Sequence, residues 1–319
     1  MEQRTFGSLG YDVSALSLGG GGIGQVWGPT TREESVATTR EAIELGINLL
    51  DLAPSYGDGE AERVVGEAFG GRLPDGVLVS TKCRVNAPPA GEVAELLRSS
   101  LIASLERLRL ERVDVFLVHN MLVADADADR YAGTPLTLFE DAVRPALEGL
   151  VAEGLAGAWG ITGIGVPDAV IEALRSASPP GAVQCIANLL DSAGAIQRFD
   201  GELRPREVIA AAAEHGVGVM GIRAVQAGAL TDAIDRELPE GHGDAVDFDR
   251  AAPFRDVAHE VGESPAALAH RYALSMPGIS TVVLGVKNRE ELRECVDAEA
   301  RGPLDAELMA RIDAAVAGA

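Results

Sequence analysis

Asp51-Leu52-Ala53-Pro54-Ser55-Tyr56-Gly57-Asp58-Gly59-Glu60 follows the apolar run Ile47-Asn48-Leu49-Leu50 and precedes a run with helical spacing, so it reads as a strand-to-helix corner. Pro54 and the two glycines forbid immediate helix formation, and Asp51 sits where the strand should end. A carboxylate and a phenol five residues apart at a strand mouth suggest acid/base chemistry, because functional groups gather on loops held by a rigid scaffold. A turn with an incidental tyrosine is the other reading of this stretch taken alone.

Outward from the corner the same alternation repeats. Upstream, Gly7 and Gly10 predict a small hairpin over 4–14, the run 15–18 a first core strand, and Thr31 the cap of a helix over about 32–45. Downstream come helix 60–69, strand 77–81, helix 91–107, strand 113–118, a helix around 138–152, strand 156–161 and helix 167–177. Strand 182–186, helix 205–214 and strand 217–222 follow, then helices at about 249–261 and 265–275 before an eighth strand at 280–284. After a last helix-like stretch at about 303–316 only Ala317-Gly318-Ala319 remain, so no long carboxyl-terminal loop is expected to shape the site, which should be fairly open.

Eight apolar strands alternating with helices, with no composition break, predict an α/β fold: one (β/α)8 TIM barrel over 1–319, with a short amino-terminal β-hairpin and extra helices near the carboxyl terminus. Runs apolar on both faces suit strands covered by helices. Chemistry in such barrels lies at the carboxyl ends of the strands. Asp51 ends the second, Lys82 the third and His119 the fourth; Gln184 lies in the sixth and Lys287 follows the eighth.

The 319 residues are 47% hydrophobic, enough for a sizeable core, yet no apolar run approaches the roughly 20 residues of a membrane span. The start, Met1-Glu2-Gln3-Arg4-Thr5, shows no basic region followed by an apolar block, and Cys83, Cys185 and Cys295 fit buried thiols in a reducing cytoplasm better than disulfides or a metal cage. A formal charge of −22 argues against nucleic acid and anionic membranes as partners. Of the 27 basic side chains only Lys82 and Lys287 are lysine, and in an arginine-rich chain a retained lysine marks a place that needs a compact or deprotonatable ammonium.

Each of these residues has a bland reading: Lys82 leaving its strand for solvent, His119 satisfied at a strand end, Gln184 capping backbone. A closed barrel weakens all three together, because it sets the ends of strands two, three and four side by side. An ammonium beside Tyr56 would stabilise its phenolate and lower a pKa that is ordinarily near 10. Asp51 would hold Lys82 through a charge-assisted hydrogen bond, and His119 would donate to a carbonyl oxygen. No serine or cysteine is evidently paired with the histidine, and no His/Cys spacing resembles a metal site. The set is equipped to protonate an alkoxide as it forms, so the electrons must come from a hydride donor such as a reduced nicotinamide.

Asp51-Leu-Ala-Pro-Ser-Tyr56-Gly with Glu60 and Glu62, Ser80-Thr81-Lys82, the run 113–118 ending in His119, Val183-Gln184 with Asn188-Leu189-Leu190, and Leu284-Gly285-Val286-Lys287 together resemble the aldo-keto reductases. The similarity runs from about Arg4 to Leu292. It implies Tyr56 as general acid, Lys82 and Asp51 as its tuning pair, and His119 as the group that orients the carbonyl of a small-molecule aldehyde, ketone or alcohol. It also implies a nicotinamide dinucleotide across the barrel mouth, near Gly20, Gly21, Asp51, Thr162 and Gln184. The loop from Arg223 through Ala224 to Gly228 would cover the pyrophosphate, Ile222 would pack under the nicotinamide, and Gly285, Lys287, Asn288 and Arg289 would meet the adenosine end.

The chain departs from the family pattern at Thr162-Gly163, where relatives often have Ser-Asn, at Ile222, where a long or aromatic side chain is common, and at Glu291 and Cys295. Lys287 and Arg289 make a plausible site for a 2′-phosphate and favour NADP(H), with Glu291 opposing it and NAD(H) the alternative.

Three rival readings bear on function. Gly19-Gly20-Gly21-Gly22-Ile23-Gly24 satisfies the spacing of a Rossmann fingerprint, yet Gln25-Val26-Trp27-Gly28-Pro29 follows instead of a helix, so a flexible backbone at the first strand's mouth is expected. A barrel lyase would use Lys82 as a Schiff-base nucleophile. A non-catalytic, nicotinamide-binding regulatory subunit would share the fold. The acidic stretches 120–137 and 232–249 read as solvated, disordered charge runs at their tips, and would disfavour anionic substrates if they folded over the mouth.

Overall fold

A computed structural model describes residues 1–317; Gly318 and Ala319 lie outside the described residues. Eight strands form a closed, all-parallel barrel: Leu16–Gly19 (β3), Leu49–Asp51 (β4), Leu78–Cys83 (β5), Val113–Val118 (β6), Ala156–Thr162 (β9), Ala182–Ile186 (β10), Gly218–Ile222 (β11) and Thr281–Leu284 (β12). Gln3–Thr5 (β1) and Asp12–Ser14 (β2) make the expected antiparallel hairpin, and Leu122–Val123 (β7) pairs with Thr134–Pro135 (β8) outside the barrel.

The helices are Gly20–Ile23 (α1), Arg32–Glu44 (α2), Glu60–Phe69 (α3), Val93–Leu108 (α4), Leu136–Leu138 (α5), Arg144–Ala152 (α6), Pro167–Leu174 (α7) and Pro205–Glu214 (α8). Gly243–Arg250 (α9), Ala252–Glu260 (α10), Pro265–Ser275 (α11), Arg289–Ala300 (α12) and Ala306–Val316 (α13) complete them. Thr31 caps α2 as expected, its side chain accepting from the Glu34 amide at 3.1 Å.

The barrel closes because its strands bury both faces. Leu18, Leu50, Val79, Phe116 and Ile161 are fully buried, each such side chain contributing about 1.5–3 kcal/mol of hydrophobic stabilisation. At the amino-terminal end, Phe6 and Val13 of the hairpin cluster with Leu49, Val115, Leu117, Ala182 and Met220. This plug leaves the opposite end as the opening. There the register aligns Gly19 with Asp51, Asp51 with Ser80, and Lys82 with Leu117.

Three expectations need correction. The stretch 232–249 is not a disordered charge run: α9 occupies 243–250, and Asp244 and Asp247 are buried because arginines meet them. The stretch 120–137 is ordered as well, with Asp125 accepting from the Thr137 amide at 3.0 Å and its hydroxyl at 2.6 Å. Nor is the glycine run a flexible backbone. It forms the single turn α1, packed so closely that a Cβ on Gly22 would lie 1.9 Å from the Val286 carbonyl oxygen. The Rossmann reading ends there, since the run leads into a bend rather than a long helix and its strand belongs to the barrel.

Candidate active site

The third strand builds the centre of the site. Along β5, Ser80 and Lys82 share one face and Thr81 takes the other, as the two-residue period of a strand requires. Thr81 donates to Glu62 on α3 at 2.6 Å, and Glu62 also accepts from Arg107 on α4 at 2.6 Å, so the strand is fixed from outside. On the opposite face, the fully buried Lys82 ammonium lies 2.8 Å from Asp51 Oδ1 and donates to the Leu52 carbonyl at 2.7 Å. It also reaches the Tyr56 hydroxyl at 3.5 Å.

Asp51 is held on every side, accepting from the Ser80 hydroxyl at 2.7 Å and from Gln184 Nε2 at 2.8 Å. The corner brings Tyr56 over this pair. Gly57 adopts φ +64°, and a Cβ there would lie 2.2 Å from the Gly24 carbonyl oxygen, so only glycine lets the turn approach α1. His119 follows β6, its amide donating to the Cys83 carbonyl at 2.7 Å. Its ring meets Tyr56 edge-on, with centroids 5.8 Å apart, and the Ser55 hydroxyl lies 3.5 Å from Nδ1.

The electrostatics differ in one respect from the sequence expectation. Burial pushes the Tyr56 phenol up, and although Lys82 pulls it back, the net direction is upward rather than down. Tyr56 is therefore a protonated donor at neutral pH. Burial also opposes the Lys82 charge, but Asp51 and Tyr56 outweigh it and leave the ammonium above its ordinary value. His119 is pushed down to about 3 by burial and by the charges of Lys82 and Arg84, so its imidazole is neutral.

Asp51, Tyr56, Lys82 and His119 thus converge as the sequence suggests. Ser80 and the Leu52 carbonyl were missed, although the shared face of Ser80 and Lys82 was a readable signal. Gln184 stands elsewhere in the network than expected: its amide is committed to Asp51.

The expected dinucleotide contacts are mixed. Gly20 and Gly21 lie in α1, where Cβ atoms would fall 3.0 Å from Tyr56 Cδ2 and 2.4 Å from Trp27 Nε1. The Thr162 hydroxyl donates to the Val118 carbonyl at 2.9 Å, and Ile222 packs into a cluster with Ile186 and Phe199. Arg223 does not reach outward: its buried guanidinium pairs with Asp244 at 2.6 Å and donates to Gln226 at 2.8 Å. That leaves the backbone of its loop, with Ala224 buried and Gly228 at φ +91°. After β12, Gly285 is exposed and Asn288 caps α12, accepting from the Glu291 amide at 2.9 Å. Lys287 pairs with Asp235 at 2.7 Å and Glu291 at 3.4 Å, and Arg289 pairs with Glu34 at 3.0 Å.

The backbone at Gly228 and Gly285 carries no side chain to bar a dinucleotide from the rim, whereas Thr162, Gln184, Lys287 and Arg289 are already engaged within the protein and would have to exchange partners to hold one. On a (β/α)8 scaffold the structure thus sets a buried Asp–Lys pair beneath a tyrosine and beside a neutral histidine. The chain belongs to the aldo/keto reductase family, whose model matches residues 15–317, and which comprises nicotinamide-dependent oxidoreductases. It is 30% identical to the L-galactose dehydrogenase of Arabidopsis thaliana over 98% of this chain and 94% of that protein. It is 27% identical to a D-threo-aldose 1-dehydrogenase of a Pseudomonas species, over 83% of this chain and 76% of that one. The fold matches a holo aldo-keto reductase from Bacillus halodurans with a TM-score of 0.75 at 24% identity, covering 100% of this chain and 97% of that one. Among the described residues no helix is long and apolar enough to cross a membrane.

Proposed function

We propose that this protein interconverts an aldehyde or ketone with the corresponding alcohol, Tyr56 donating the proton to the carbonyl oxygen in the reducing direction and receiving it in the other. One observation carries the reading: a single ammonium, Lys82, touches both Asp51 and the Tyr56 hydroxyl, next to a neutral His119. A nicotinamide dinucleotide, when bound, supplies or accepts the hydride. Tyr56 enters the reducing step protonated, and Lys82 stabilises the phenolate that proton transfer leaves behind. A proton from Ser55 toward Nδ1 leaves Nε2 of neutral His119 as the N–H that holds the substrate oxygen. Asp51, fixed by Ser80 and Gln184, keeps the ammonium charged and aimed.

Both cations that favoured NADP(H) from sequence are already matched by Asp235, Glu291 and Glu34, and Asn288 caps the nearest helix. This supports NAD(H) as a cofactor at least as good as NADP(H). The named activities of two relatives, on L-galactose and on D-threo-aldoses, support a hydroxylated substrate. Three buried free thiols support a reducing, cytoplasmic setting. A Schiff-base role for Lys82 is disfavoured by its raised pKa and full set of partners. A purely sensory role gives no reason for all four groups to be assembled.

Tyr56→Phe tests the proposal on panels of aldehydes with reduced cofactor and alcohols with oxidised cofactor. Turnover should fall about 10²- to 10⁴-fold while cofactor affinity is retained. Reduction by the variant as fast as by the unaltered protein would refute it.

A further inference from the structure

Between the corner after β4, the end of β5 and α4, a cavity of about 560 Å³ opens onto Lys82 and His119, its walls including also Ser55, Arg84, Ser99 and Ser100. The chain carries 49 carboxylate side chains, and none of them lines this cavity. Of its two cations, Lys82 is already neutralised by Asp51 and hydrogen-bonded to the Leu52 carbonyl. Arg84 differs: its side chain is exposed on the wall and, among the described residues, has neither an ion-pair partner nor a hydrogen-bond acceptor. The cations around the opposite rim contrast with it, for Lys287, Arg289, Arg223 and Arg236 are each paired with an acid. Its charge also reaches the reacting groups, acting to lower the proton affinity of both His119 and Tyr56.

A guanidinium presents its N–H groups as a planar fork matched to a carboxylate, and it is more weakly hydrated than an ammonium, so an unpaired one beside a reaction centre is a ready anion reader. Ser99 and Ser100 of α4 put two hydroxyls on the same wall, and the Ser99 hydroxyl, which donates to the Leu96 carbonyl at 3.2 Å, can exchange that bond on the helix surface for one to an anion. We propose that Arg84, with Ser99 and Ser100, forms a recognition subsite for a carboxylate carried by the substrate, which makes oxo acids and their hydroxy-acid counterparts, sugar acids included, the preferred substrate class. This rests on the carbonyl–alcohol reading above. It also reverses the expectation that acidic loops would turn anions away, because those loops contribute no carboxylate to the cavity.

The test compares 3- and 4-carboxybenzaldehyde with benzaldehyde, and glyceraldehyde 3-phosphate with glyceraldehyde, in the wild type, Arg84→Gln and Arg84→Lys. The wild type should prefer a carboxylated aldehyde, and Arg84→Gln should lower the carboxylated-to-neutral ratio of kcat/KM by about 10- to 100-fold, with Arg84→Lys in between. A second readout needs no turnover: calorimetric binding of benzoate against benzamide. Benzoate should bind more tightly to the wild type and lose that advantage in Arg84→Gln. If no aldehyde is turned over while benzoate binding still depends on Arg84, the subsite stands and the catalytic reading falls. A wild type that favours neither carboxylated aldehydes nor benzoate, or a preference confined to the phosphate pair, overturns the proposal.

Discussion

Replacing Asp51 with asparagine should reverse the pH dependence of stability that the Lys82 site contributes. The two side chains are 0% and 2% exposed and 2.8 Å apart, and breaking a buried pair of this kind costs about 3–5 kcal/mol when the surviving charge stays in place. Asparagine keeps the shape, and Gln184 can turn its amide to present oxygen, so the change is chiefly one of charge. In the wild type the folded Lys82 pKa lies above its unfolded value, so its stabilisation is fully present below about 10.5 and fades only as pH rises through the higher folded value. Between pH 6 and 9 its contribution is flat. Without Asp51, burial is left as the main influence and pulls the ammonium below its unfolded pKa. The unfolded state then binds more protons, and stability rises with pH. The deficit of Asp51→Asn relative to wild type should therefore be about 3–5 kcal/mol at pH 6 and smaller by about 1–3 kcal/mol at pH 9. Urea unfolding of both proteins at the two pH values measures it, and the wild-type subtraction removes the other titrating groups. A deficit that is the same at both pH values, or under about 1 kcal/mol throughout, would refute the argument that Asp51 is what keeps a buried ammonium charged.

Two further outcomes follow from the same electrostatics. His119, pushed down to about 3, stays neutral where the unfolded chain takes up a proton below about 6.5, so it lowers stability as pH falls. His119→Asn should lose about 1–2 kcal/mol less than wild type between pH 6.5 and 4.5 in urea titrations; parallel losses would refute the assignment. At the other rim, Asp235→Asn combined with Glu291→Gln should free Lys287 and raise the NADPH-to-NADH ratio of kcat/KM about 5- to 10-fold, since each partly exposed pair is worth about 0.2–1 kcal/mol. An unchanged ratio would mean that Lys287 does not read the 2′-phosphate.

The strands at 113–118 and 182–186 and the helices at 60–69 and 205–214 were legible to the residue, because in each the hydrophobic pattern and its punctuation agree. Gly59 and Gly70 bracket one helix in left-handed conformations, and Pro205 opens the other. The helix at 243–250 was hidden for the opposite reason. Its buried residues are Asp244 and Asp247, and an inward-facing carboxylate looks like a solvated one until its arginine is known. Asp244 meets Arg223 and Arg236, and Asp247 meets Arg250 and Gln226, pairs that no local window separates from a charge run. The helix at 289–300 buries only Leu292, Cys295 and Ala298 in a charged sequence, too thin a stripe to read. The same division runs through the site. Which side chains stand at the strand ends follows from strand period and motif, but whether each is free follows from contacts such as Gln184 on Asp51, 133 residues apart. In a chain of net charge −22 most cations meet an acid, yet among the described residues Arg72, Arg109, Arg112 and Arg198 have no ion pair either, so it is the place of an unpaired cation, beside Lys82 and His119, that carries the information. Lys287 and Arg289 looked informative by residue type and proved matched, whereas Arg84, one more arginine in a chain rich in them, drew no notice until its empty surroundings were known.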